Sequence, residues 1–156
     1  MQCAARLILQ RLRGPHTVRY ASRAAKIPNA APEISPEDLK EARDDPGADL
    51  VVLDVREDEE IALAKLRGTD VQYVTLGDLF EATERPTVED IDQSVTEVLP
   101  PVCTAKDKRI VVVCHHGVRS KAAADMLWQL GWRNVASLYG GLHLYAENVD
   151  PSIGKY

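Results

Sequence analysis

The sequence predicts an α/β fold with a mostly parallel sheet that is flanked by helices. Short apolar runs that suit buried strands occur at 50–53, 71–74, 109–113 and 134–138, and segments of helical character separate them. Parallel strands need long crossover connections, which are usually helices, so this alternation indicates a parallel sheet. The length of 156 residues suits one domain with a core of useful size.

The first half of the domain begins with a helix at Pro36. Ser35 is a good N-cap, proline suits the first helical position and two acids follow it. The run 50–53, Leu-Val-Val-Leu, has no polar residue, as expected of a strand buried on both faces. A charged helix over 57–65 and a strand over 71–74 follow.

The second half carries the strongest patterns. The run 109–113 predicts a central strand, and 120–130 predicts an amphipathic helix that stops at Gly131. A strand over 134–138 and a helix over 142–148 complete the order. Between them and the first half lies a polar, proline-marked segment, 81–107, which we interpret as a helical excursion within one domain.

Charge divides the chain into a tail and a body. Residues 1–32 contain six basic residues and no acid, whereas 33–156 contain 13 basic and 24 acidic residues, a net charge of −11. An arginine-rich, acid-free segment with an apolar helical face is typical of an organellar targeting presequence. We therefore expect residues 1–32 to be a mitochondrial transit peptide and 33–156 to be a matrix domain. A plastid address and a basic tail that binds nucleic acid are the alternatives.

The sequence predicts neither a membrane-spanning segment nor a set of disulfide bonds. No run approaches the about 20 apolar residues that span a bilayer. The three cysteines, Cys3, Cys103 and Cys114, do not form a disulfide framework. We expect one reactive cysteine, Cys114, and a bystander, Cys103.

The segment Cys114-His115-His116-Gly117-Val118-Arg119-Ser120 is the strongest candidate for a site. It joins the 109–113 strand to the next helix, so backbone amides at the helix start would point towards the sulfur. Such amides stabilise a thiolate and form a cup for an anion. The amides of 115–119 are expected to form this cup, with Arg119 adding a positive charge. The alternative is a buried cysteine that merely ends a core strand.

Several motifs in order resemble the rhodanese domain of sulfurtransferases. They are Leu53-Asp54-Val55-Arg56-Glu57, the loop 114–120, Gly140-Gly141 and an Asp150-Pro151 ending with Tyr156. The likeness covers about 34–156 and is greatest to single-domain rhodaneses with a Cys-His-His-Gly-x-Arg-Ser loop. It implies a three-layer α/β domain with a mostly parallel sheet of about five strands.

The resemblance also implies an activity. Cys114 would accept a sulfane sulfur from thiosulfate or a small persulfide, hold it as a persulfide and pass it on. The acceptor would be cyanide or a thiol of glutathione, a thioredoxin-like protein or a protein cysteine. No cofactor, nucleic acid or membrane is implied. The alternatives are a rhodanese-like protein-binding module with vestigial activity, and a cysteine phosphatase or arsenate reductase. A cysteine-to-arginine spacing of four residues favours sulfur over phosphate or arsenate.

The other candidate residues support the site without carrying the chemistry. We expect Asp54 and Arg56 to form an ion pair that braces the rim of the site. His115 and His116 predict no metal site, because adjacent side chains seldom face one ion and no further ligands cluster with them in the sequence. Tyr145 stands where the family usually has tryptophan, and neutral His115 follows the cysteine where many thiosulfate users have a cation, which makes thiosulfate doubtful as the physiological donor.

Overall fold

The computed structural model describes residues 30–154, and five strands in this range form one sheet. The order across the sheet is β1-β5-β4-β2-β3, and every neighbouring pair is parallel. The strands are β1 Glu33–Ile34, β2 Leu50–Asp54, β3 Val71–Tyr73, β4 Arg109–Val113 and β5 Val135–Leu138. The predicted α/β class with a parallel sheet of about five strands is therefore confirmed.

Six α-helices connect and cover the strands in the described part of the chain. Ser35 caps the first of them as expected, since its hydroxyl accepts a hydrogen bond from the Asp38 amide at 3.1 Å. Short 3-10 turns lie at Pro101–Cys103 and Pro151–Ile153. The helices are α1 Pro36–Asp44, α2 Asp58–Leu63, α3 Leu76–Thr83, α4 Val88–Val98, α5 Val118–Gln129 and α6 Gly141–Asn148.

The core consists of two layers, one on each face of the sheet. Successive side chains of a strand point to opposite faces, so β4 sends Ile110 and Val112 into one layer and Val111 and Val113 into the other. Helices α3, α4 and α5 close the first layer, and α1 and α6 close the second. This three-layer arrangement leaves the carboxyl ends of the central strands as the edge where a site can form.

Three features of the fold differ from the predicted elements. The sequence did not indicate the two-residue β1 or helix α3, and α5 begins at Val118 rather than at residue 120. Within 81–107, Val95, Leu99 and Cys103 are buried in the first core layer, so this excursion packs onto the sheet. The predicted presequence lies almost entirely outside the described residues.

Candidate active site around Cys114

Cys114 directly follows β4, which lies between β5 and β2 in the middle of the sheet. Its side chain therefore sits at the carboxyl edge, where α/β proteins commonly bind their ligands. The residue is 1% exposed, so the sulfur is almost completely covered by the surrounding protein.

A cup of hydrogen-bond donors surrounds the Cys114 sulfur. The backbone amides of Gly117 and Ser120 donate to Sγ at 3.2 and 3.3 Å, and the Cys114 thiol donates to the Ser120 hydroxyl oxygen at 3.4 Å. That hydroxyl is in turn held by the Gly117 carbonyl at 3.1 Å and the Ser137 hydroxyl at 3.0 Å. Donors at the start of α5 stabilise negative charge on the sulfur. From the sequence we expected the amides of 115–119 to form the cup. Gly117 belongs to this range, whereas Ser120 lies just after it.

The cup is held in shape by the start of α6. The Leu142 amide donates to the Cys114 carbonyl at 2.8 Å, and the His143 amide donates to the His115 carbonyl at 2.9 Å. Gly141 makes this approach possible at φ 62°, because a Cβ there would lie 2.5 Å from the Cys114 carbonyl oxygen and 2.6 Å from the Gly117 nitrogen. The Gly-Gly motif thus fixes the loop that holds the sulfur.

Arg119 is paired with an acid that the sequence did not indicate. Its two terminal nitrogens donate to the two carboxylate oxygens of Glu60 at 2.5 and 2.6 Å, and both side chains are partly buried. Such a bidentate pair is strong and directional. The positive charge at the end of the loop is therefore balanced by a carboxylate from α2.

Asp54 and Arg56 form a fully buried ion pair next to the loop. The Arg56 guanidinium donates to the Asp54 carboxylate at 2.8 Å and to the Ala64 carbonyl at 2.8 Å, and it reaches the Glu60 carbonyl at 3.3 Å. These bonds tie the end of β2 to α2, the helix that carries Glu60. The ion pair expected from the sequence is thus present, and its role in bracing the rim of the site stays a prediction.

Removing the Asp54 carboxylate should strongly destabilise the fold. Asp54→Ala leaves the Arg56 charge buried without its carboxylate, which costs about 3–5 kcal/mol. The control is Asp44→Ala, because Asp44 pairs with Lys40 at the surface, where both side chains are about half exposed, and such pairs contribute about 1 kcal/mol or less. Urea unfolding measures both variants, and equal losses would contradict the bracing role.

Three histidines meet at the mouth of the cup. The rings of His115 and His116 stack with centroids 3.9 Å apart, and the ring of His143 in α6 lies 5.8 and 5.0 Å from them. Burial, together with the charges of His116 and His143, lowers the pKa of His115. From the sequence, His115 and His116 were considered only as an adjacent pair, and His143, which α6 brings to the same place, was not among the predicted site residues.

Cys103 has the character of a structural residue. It is fully buried, and burial raises the pKa of its thiol to about 11. Its carbonyl accepts a hydrogen bond from the Trp132 indole at 2.9 Å. Both residues lie near the edge of the sheet where β4 and β5 begin, whereas Cys114 lies at the opposite edge, where β4 ends. The protonated thiol thus lies away from the cup.

Tyr145, which stands at the tryptophan position of the family, is buried in the second core layer.

A cysteine sulfur held by backbone amides at the carboxyl edge of a parallel sheet defines an α/β protein with a candidate site at the end of a central strand, and the comparisons with known proteins give its family. The profile of the rhodanese-like domain matches residues 35–148. The chain therefore belongs to the rhodanese-like domain family.

In the described residues, no helix combines the length and apolar character needed to cross a membrane.

Individual relatives agree with this assignment. The adenylyltransferase and sulfurtransferase UBA4 of Candida albicans is 33% identical over 107 residues, which are 68% of this chain and 22% of that protein. The tRNA uridine(34) hydroxylase of Streptococcus pneumoniae is 31% identical over 120 residues, which are 77% of this chain and 31% of that protein. The chain thus spans less than a third of either relative.

Solved structures show the same fold. A rhodanese-related protein from Thermoplasma volcanium is 27% identical and superposes with a TM-score of 0.54, over 76% of this chain and 93% of that one. The match covers nearly all of that chain and three quarters of this one, so the two proteins share the same fold over most of their described lengths.

Proposed function

We propose that this protein is a sulfurtransferase that carries sulfane sulfur on Cys114. The observation that supports this function most directly is the donation of the Gly117 and Ser120 amides to Sγ at 3.2 and 3.3 Å. These donors are directed at the reacting sulfur, and they can stabilise the terminal sulfur of a persulfide in the same cup.

The reaction consists of two displacements at sulfur. The Cys114 thiolate attacks the sulfane sulfur of the donor, a new S–S bond forms, and the donor's own S–S bond breaks. Sulfite leaves when the donor is thiosulfate, and a thiolate leaves when the donor is a persulfide. An acceptor thiolate or cyanide then attacks the outer sulfur and releases the Cys114 thiolate, so no net oxidant or reductant is needed.

The loop geometry supports sulfur over phosphate as the cargo. Four residues separate Cys114 from Arg119, one fewer than the cup of cysteine phosphatases requires. Both terminal nitrogens of Arg119 contact Glu60, so a bidentate grip on a phosphate would have to compete with this carboxylate. A single sulfur atom makes no such demand.

The charge around the cup favours a small persulfide over thiosulfate as donor. Glu60 balances Arg119, and the lowered pKa of His115 keeps that side chain neutral at pH 7. Thiosulfate brings two negative charges to this site, whereas the sulfane group of a persulfide brings one. The acceptor proposed is a thiol such as glutathione.

Glu60→Gln should shift this preference towards thiosulfate. Glutamine removes the negative charge and is also favoured at this third helical position. We expect kcat/KM for thiosulfate to rise about fivefold relative to glutathione persulfide, which corresponds to ~1 kcal/mol. Glu97→Gln, on the exposed side of α4, is the control and should leave the ratio unchanged. An unchanged ratio in Glu60→Gln would contradict the charge argument.

A substrate panel tests the proposed function as a whole. The reduced protein is assayed with thiosulfate and glutathione persulfide as donors, with cyanide and glutathione as acceptors, and separately with an aryl phosphate. Sulfur transfer without phosphate release is expected. Phosphate release without transfer from any sulfane donor would overturn the proposal. The charge pattern of 1–32 supports placing this activity in the mitochondrial matrix.

A further inference from the structure

The three histidines at the mouth of the cup have the composition and spacing of metal ligands. His115 and His116 come from the loop and His143 from α6, and one nitrogen of each lies within 4.8 Å of the others. His116 is exposed, and His115 and His143 are partly exposed, so the group lies at the protein surface. No other such group of three is found among residues 30–154.

The backbone holds these three residues together. The hydrogen bond from the His143 amide to the His115 carbonyl is 2.9 Å long, and the bond from Leu142 to Cys114 runs beside it. The tight contact at Gly141 excludes a side chain between the two segments. The cluster is therefore set by the fold rather than by the chance positions of long surface side chains.

His143 shows a second sign of a ligand. Its Nδ1 is the one buried side-chain nitrogen or oxygen in the described residues that has no hydrogen-bond partner. A buried polar atom left unpaired costs about 1–3 kcal/mol. On the other side of the ring, Nε2 lies 3.6 Å from the Glu147 carboxylate. Metal-binding histidines typically direct one nitrogen to the ion and the other to a carboxylate.

We propose that His115, His116 and His143 form a site for a divalent transition-metal ion, with Nδ1 of His143 as ligand and Glu147 as the carboxylate that orients its ring. Imidazole ligands suit Zn²⁺, Cu²⁺ and Ni²⁺. Ligand bonds of about 2.0–2.1 Å in a tetrahedral site require nitrogens ~3.4 Å apart. The nitrogens of the group already lie within 4.8 Å of one another, so side-chain rotations must bring them closer to reach this spacing.

Three protein ligands leave one coordination position open, unlike the four ligands of closed structural sites. Water or an incoming thiolate can occupy this position. The site is not required for the two displacements proposed above, and its occupancy is measured without any sulfur substrate. A protein that binds no metal could therefore still transfer sulfur as proposed. A protein that transfers no sulfur could still bind the metal.

Cobalt(II) chloride is the probe for this site. The full chain is prepared without a histidine tag, kept reduced and titrated with Co²⁺, and visible absorption reports four-coordinate cobalt. Wild type is expected to bind one Co²⁺ per chain. His143→Asn should weaken binding at least about 100-fold, and Glu147→Gln about 10–100-fold, as expected for loss of an orienting partner.

His16→Asn is the matched control, because His16 is the only histidine of the chain outside the cluster, and it should bind Co²⁺ like wild type. The exposed His116→Asn provides a second ligand variant whose folding is least at risk, and circular dichroism checks both. Absence of four-coordinate cobalt bands in wild type would overturn the proposal. Wild-type affinity in folded His143→Asn or His116→Asn would overturn it equally.

Discussion

Cys114→Ser is expected to abolish sulfur transfer while leaving the fold intact. Serine has nearly the same shape, and its oxygen can accept the Gly117 and Ser120 amides that now donate to sulfur. A hydroxyl in this cup forms no persulfide, so the first displacement has no nucleophile. We expect kcat/KM for glutathione persulfide to fall by about 10³-fold or more, with an unchanged circular dichroism spectrum.

Cys103→Ala is the matched control for this loss. Cys103 is fully buried, and its thiol, with a pKa of about 11, stays protonated at neutral pH. Alanine removes a packing sulfur and lowers stability, but kcat/KM should stay within about twofold of wild type. Loss of transfer in Cys103→Ala at full folding would show that two cysteines act together, which would contradict the single-cysteine mechanism.

Gly141→Ala should disrupt the cup from outside the cysteine loop. The added Cβ would lie 2.5 Å from the Cys114 carbonyl oxygen and 2.6 Å from the Gly117 nitrogen, and the φ of 62° disfavours any side chain. The left-handed conformation costs about 1–2 kcal/mol, and backbone displacement adds to that. A shift of about 1 Å at the reacting sulfur can lower the rate about 10²-fold.

Gly77→Ala separates this steric effect from the general effect of replacing glycine. Gly77 lies inside α3, and its nearest neighbour to an added Cβ is the Thr75 hydroxyl at 3.6 Å, an ordinary contact. Alanine there should stabilise the helix by about 0.5–1 kcal/mol. Urea unfolding and transfer rates are measured for both variants. Wild-type stability and rate in Gly141→Ala would contradict the role assigned to the α6 contact.

Local patterns in the sequence were enough for most of the fold. The apolar run of β4 matches its predicted bounds, and the Ser35 cap with Pro36 fixes the start of α1. Two elements had no such pattern. The two residues of β1 are too few to show any periodicity, and they become a strand only because β5 offers its free edge.

The start of α5 shows how one residue shifts a boundary. Gly117 adopts φ 88° and serves as the N-cap without a side-chain hydrogen bond, so no capping side chain marked the helix start at Val118. The same glycine places its own amide on the sulfur. Gly117 is among the amides of 115–119 that were expected to form the cup, whereas the second donor, Ser120, lies one residue beyond that range. That this loop is the active site stays a prediction.

Contacts between segments that are distant in the chain could not be predicted from local sequence patterns. Glu60 lies 59 residues before Arg119, and nothing in the α2 pattern distinguished it from its acidic neighbours. His143 reaches His115 only because the start of α6 is hydrogen-bonded to the loop. The Gly-Gly motif before α6 was the one available sign of this close approach.

Mass spectrometry of the reduced, folded protein after brief treatment with glutathione persulfide shows whether Cys114 carries sulfane sulfur. The sulfurtransferase mechanism predicts an added mass of about 32 Da, the mass of one sulfur atom, on the peptide that contains Cys114. Glutathione should remove this mass, and Cys114→Ser should not acquire it. A protein that gains no sulfur on Cys114 from any sulfane donor, or that gains it equally on Cys103, would rule out transfer through a Cys114 persulfide.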